Sequence, residues 1–89
     1  MGEMNELHKL LHGRINADEA ESIIRKLIKQ ELKIGDLVAL IEVLHDYEVD
    51  GKCWAHELKK QAIRKLKKIE PRADWEKRYI QKIIKEYSR

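Results

Sequence analysis

Apolar residues recur along this chain at three- and four-residue spacings, and no segment alternates with period two, so the pattern predicts helices throughout. A first helix spans roughly 3–11, with Met4, Leu7 and Leu11 on one face. "HGRIN" interrupts it. A second helix spans roughly 17–33; Asn16 is placed to cap it and Glu19 follows three residues later, a box-like start. Ala20, Ile23, Ile24, Leu27 and Ile28 form its apolar stripe, and Gly35 closes the segment. A third helix, roughly 36–46, is apolar nearly all round, with Glu42 and Asp46 as its acidic strip, so burial on most sides is expected.

"VDGK" reads as a turn. A fourth helix, roughly 54–69, places Trp54, Leu58, Ala62, Leu66 and Ile69 on one face. Pro71 and Asp74 mark the start of a fifth, roughly 72–87, whose inner face is expected to carry Trp75, Tyr79, Ile80, Ile83, Ile84 and Tyr87. On this reading the aromatic side chains belong to the core. The expectation is an all-α, five-helix single domain over 1–89: a helix-loop-helix unit at 3–33, a second at 36–69, and an appended helix at 72–87.

Composition agrees. The 89 residues suit one domain, and 43% apolar content supplies a core. No apolar run approaches the ~20 residues that span a bilayer. "MGEMNELHKLL" is too acidic and polar for a secretory signal. One cysteine, Cys53, excludes an internal disulfide framework. A cytoplasmic protein is expected. The charged fraction, 39%, rich in Glu and Lys, is thermophile-like.

Charge adds an asymmetry. Residues 1–50 hold 11 acids and 6 Lys/Arg; residues 51–89 hold 5 acids and 13 Lys/Arg. Either the halves attract each other or the basic half faces an acidic partner. Lys60, Arg64, Lys67 and Lys68 lie opposite the apolar face of the fourth helix, and Lys77, Arg78, Lys82 and Lys85 do the same on the fifth. Asp74 is spaced to pair with Arg78. These eight cations are candidates for binding nucleic acid or an acidic partner; their alternative is a solvated face.

The stretch "DYEVDGKCWAHE" (46–57) carries the densest chemistry. Asp46, Glu48 and Asp50 alternate, Gly51 follows, and Glu57 comes six residues after the glycine. Aligning Gly51 with Gly13, 38 residues earlier, lays "HGRINADE" over "DGKCWAHE". Each has a glycine, Ile15 or Cys53 two residues later, and Glu19 or Glu57 six later. The chain thus reads as two helix-loop-helix units plus a helix.

This arrangement resembles the EF-hand family in its paired form. The resemblance covers about residues 3–69 and implies a 12-residue calcium loop in the second unit. It implies Asp46, Glu48, Asp50 and Glu57 as carboxylate ligands and Lys52 as a backbone carbonyl ligand. Trp54 stands where a water or no ligand would sit. Ile15 and Cys53 would be the pair bridging the two loops. The first loop has His8, Leu10 and His12 at the ligand positions and holds no calcium site; its implied role is to brace its neighbour. One calcium ion, reorienting the third and fourth helices to change a protein-binding groove, would be the mechanism. Without an ion, "DYEVDG" is an ordinary Asp-Gly turn with Asp50 capping the fourth helix.

Zinc is a weaker alternative: His8, His12, Cys53 and His56 offer four ligands if the loops pair. A helix-turn-helix around Gly35 is disfavoured, because the helix after it is apolar and acidic. No phosphate loop, nucleophile elbow or HExxH occurs, so the expectation is no enzyme. The expected function is an EF-hand-like module acting on a protein partner. The alternative is a small basic nucleic-acid-binding protein using the C-terminal helical hairpin. A homodimer is compatible with either.

Overall fold

A computed structural model of the chain describes residues 8–11, 13 and 15–88. It is all-α, with five helical segments. They are α1 (8–11), α2 (Ala17–Leu27), α3 (Ile34–Val49), α4 (Cys53–Lys68) and α5 (Asp74–Tyr87). Met4 and Leu7, expected on the first helix, lie outside the described residues. Within α1 the buried residue is Leu10, while Leu11 is exposed.

The start of α2 follows its sequence signal: the Asn16 side chain accepts a hydrogen bond from the Glu19 N–H at 2.8 Å. Its end does not. The helix stops at Leu27 rather than near 33, because its terminal carbonyls find a partner from another helix. Lys65 Nζ donates to the Ile28 carbonyl and, at 2.7 Å, to the Gln30 carbonyl. A cation at a helix C-terminus also suits the helix dipole. Leu32 and Ile34 then pack on the core beyond the end of α2, and Gly35 lies inside α3 instead of closing α2.

The core centre is α3. Leu37, Val38, Leu40, Ile41 and Leu44 are buried, on more than one side of the helix. Its principal neighbour is α4, which buries Ala55, Leu58, Lys59, Ala62, Ile63 and Leu66. α2 adds Ala20, Ile24 and Leu27, and α5 adds Ile80 and Ile83. α4 ends where Ile69 turns extended, two residues before Pro71.

α5 departs from its expected inner face. Trp75 is 68% exposed and Tyr79 38% exposed. Ile80 and Ile83 point into the core, so the buried arc centres between them and Tyr87; Trp75 and Tyr79 fall on its flank. The Asp74–Arg78 pair is not formed. The Glu76 carboxylate instead reaches back to accept from the Arg72 N–H at 3.0 Å.

Gly51 sits in the turn between α3 and α4 with φ +92°, a conformation that L side chains rarely adopt. No neighbouring atom crowds the position, so the cost of substitution there is backbone strain alone. Gly51→Ala is expected to cost about 1–2 kcal/mol, read as a lower denaturation midpoint with unchanged slope. An unaltered midpoint would show that the turn relaxes without glycine.

Candidate functional site: a basic groove over a Glu48–Lys59 pair

The stretch 46–57 contains no twelve-residue loop. α3 continues through Val49 and α4 begins at Cys53, leaving Asp50, Gly51 and Lys52 as the connection. Alternate residues on a helix point about 200° apart, so Asp46 and Glu48 diverge. Asp46 and Asp50 are exposed. Glu48 turns toward α4, where its Oε1 accepts from Lys59 Nζ at 2.6 Å and its Oε2 meets His56 Nδ1 at 2.6 Å. The Lys52 carbonyl already accepts from the Ala55 N–H at 3.0 Å. Glu57 is exposed on the first turns of α4. Asp50 does not cap α4 either: Lys52 holds the N-cap position, with no side-chain bond. Among the described residues, no three His, Cys, Asp or Glu side chains are grouped to hold a metal ion. As arranged, the carboxylates of this stretch do not converge on one centre.

The internal repeat is also unequal in its backbone. Gly51 serves a positive φ, whereas a Cβ at Gly13 would sit 2.6 Å from the Lys9 carbonyl oxygen. Of the two residues implied as the bridging pair, Ile15 packs against the core and Cys53 is exposed. Of the zinc candidates, His12 lies outside the described residues, His8 is exposed, and His56 is engaged by Glu48.

The structure brings together a cluster that spacing did not reveal. Lys59 is 3% exposed, a cation inside the α3–α4 packing. Burying an ammonium is costly unless it is paired and hydrogen-bonded. Glu48 supplies the pair. The hydrogen bond from Lys59 is the largest influence on Glu48; His56 adds to it, and together they outweigh partial burial and hold the carboxyl below its usual range.

Above this pair opens a groove of about 390 Å³, walled by α4 and the end of α5. His56, Lys60, Arg64 and Lys67 line one side, Ile63 its floor, and Tyr87 and Ser88 the other. Lys60, Arg64, Lys67 and Lys68 on α4, and Lys77, Arg78, Lys82 and Lys85 on α5, are all exposed as expected. None makes an ion pair among the described residues. Glu57 is the single carboxylate on α4.

At the far edge of α5 the sign reverses. Tyr87 packs its ring against His45, centroids 5.2 Å apart. Burial raises its pKa, and the nearby carboxylates of Glu42, Glu86 and Asp46 raise it further. Comparison with known proteins finds no matching family model, curated protein or solved structure.

Glu48→Gln is expected to cost about 1–3 kcal/mol, because Lys59 stays buried with a weaker partner. Glu48→Gln with Lys59→Met should recover much of the loss, since neither charge remains. The pH dependence follows the depressed pKa. The contribution of Glu48 is fully present above the ordinary glutamate value and fades as pH falls through its lowered folded value. Thermal melts of wild type and the single variant should therefore converge as the pH is lowered toward acid. A gap that persists unchanged into acid would show that the pair is not its source.

Proposed function

We propose that this chain is a non-catalytic binding module for a polyanionic partner, nucleic acid foremost, engaged along the basic groove of α4. What supports the reading is one observation: Lys60, Arg64, Lys67 and Lys68, which line and border this groove, are exposed and make no ion pair among the described residues, and a single carboxylate interrupts them on α4. Unpaired Lys and Arg release counterions from a phosphate backbone on contact, giving affinity that falls steeply with salt. The Glu48–Lys59 pair has a supporting part. It neutralises the buried Lys59 and ties α3 to α4 at the base of the groove, so the cations above are carried by a fixed helix. His56 sits at the junction, one nitrogen on Glu48 and its ring on the groove wall.

The calcium-dependent reading has less support, because the donors that it requires point apart. Millimolar calcium is expected to leave the melting temperature of the wild type unchanged. A calcium-dependent rise, lost in Glu57→Gln, would overturn that expectation.

Fluorescence anisotropy with labelled single-stranded and duplex oligonucleotides tests the main reading. Reversing Lys60, Arg64, Lys67 and Lys68 to Glu should weaken binding at least tenfold at low salt. The wild-type affinity should fall with salt at a log–log slope of about −2 to −4, as expected for a few neutralised phosphates. Unchanged binding after the reversal would remove the groove as the site, and no binding at low salt would remove nucleic acid as the partner. Competition by an acidic polypeptide in the absence of oligonucleotide binding would assign the groove to an acidic protein instead.

A further inference from the structure

The flank of α5 turned away from the groove poses a separate question: why does this chain expose a tryptophan and a tyrosine one turn apart? Trp75 and Tyr79 are neighbours at i,i+4, with Arg78 and Lys82 beside them at i+3. Aromatic residues with arginine are what the cores of protein interfaces select.

What could cover this ridge is constrained by its other end. α3 and α5 run in the same direction: Gly35 and Glu76 line one cavity at their starts, and His45 meets Tyr87 at their ends. Glu42 and Asp46 of α3 therefore gather with Glu86 at the C-terminal end of α5, around Tyr87. The flank is basic and aromatic at one end and acidic at the other. None of Arg78, Lys82, Glu42, Asp46 or Glu86 makes an ion pair within the chain among the described residues.

We propose that this flank is a self-complementary interface, on which a second copy of the chain docks through a two-fold axis with the two α5 helices antiparallel. A two-fold contact sets residue i against j and j against i. Antiparallel docking lays the Arg78–Lys82 end of each copy on the Glu42–Asp46–Glu86 end of the other. Tyr79 is covered between them, and Trp75 lies at the edge of the contact. The two readings stand on different cations: Arg78 and Lys82 here, and Lys60, Arg64, Lys67 and Lys68 at the groove. α5 has 14 residues, about 21 Å of helix. A contact of that length reaches only the lower end of the ~1,200–2,000 Å² that specific interfaces bury. The expected dimer is weak, with a dissociation constant of about 1–100 µM.

Sedimentation equilibrium over a wide concentration range, on the full chain, reads this out. Wild type should pass from monomer to dimer with rising concentration. Trp75→Ala with Tyr79→Ala should weaken association at least tenfold while leaving the melting temperature of dilute protein within a few degrees. Arg78→Glu with Lys82→Glu should weaken it similarly, and adding Glu42→Lys and Glu86→Lys to that variant should restore it. A wild type that stays monomeric throughout overturns the proposal. So does a dimer indifferent to the ridge, or a charge swap that fails to rescue. If the ridge substitutions instead lower affinity for a single-stranded oligonucleotide and leave the mass unchanged, the ridge is a base-stacking surface and the second copy is not its occupant.

Discussion

A helix that is apolar nearly all round cannot be stable until several neighbours cover it, and α3 is that helix here. Leu37, Val38, Leu40, Ile41 and Leu44 are buried together, in a helix that packs on both α4 and α5. α4 covers the largest part and α5 closes a further side, while α2 packs on α4. Each covering helix is amphipathic, so burying its apolar stripe against α3 and α4 forces its charged side outward. The basic surface of α4 and α5 is thus a consequence of how α3 is covered, as much as of which residues are basic.

The same constraint explains why the acidic stretch after Asp46 does not become a loop. Burying the contact between α3 and α4 brings Lys59 out of water, and its ammonium needs an anion within reach. Glu48 can serve only if α3 stays helical beyond Asp46, which carries its side chain toward α4. The charge-assisted bond then holds Glu48 away from Asp46 and Asp50. A pairing that α4 demands takes the central donor from the arrangement that a cation would need. Gly51, with its positive φ, accomplishes the reversal in three residues, and a longer connection is unnecessary.

Much of the fold was legible because helical periodicity is a local property. The helical segments, the Asn16 cap and the Gly51 turn are present where spacing and residue type call for them, although the end of α2 is not. What could not be read depends on contacts between distant segments. The early end of α2 reflects Lys65, which lies 37 residues beyond the Ile28 carbonyl that it caps. A helical wheel gives the angle between Trp75 and Ile80, but not how wide an arc the neighbours cover. The arc proves narrower than the apolar stripe, so Trp75 and Tyr79 remain outside. For the basic groove, the cations were legible as a set. The pairing of Lys59 with Glu48 was not, because a lysine on the edge of an apolar face reads as solvated until its neighbour is known.

Charge segregation in the chain becomes two distinct surfaces once these helices are placed. The acids of the first fifty residues do not broadly neutralise the cations of the rest: among the described residues, the ion pairs between the two parts converge on Glu48. The remaining charges are sorted by helix direction. Because α3 and α5 run together, the acids of the one and the C-terminal glutamate of the other gather at a common end, away from Arg78 and Lys82. Because α4 carries one acid, its outer side is almost purely cationic. A mixed-sign flank favours a partner that matches its own pattern, and a single-sign groove favours a polyanion. Both preferences arise from how few helices are available to cover α3, and from which of their faces are left over.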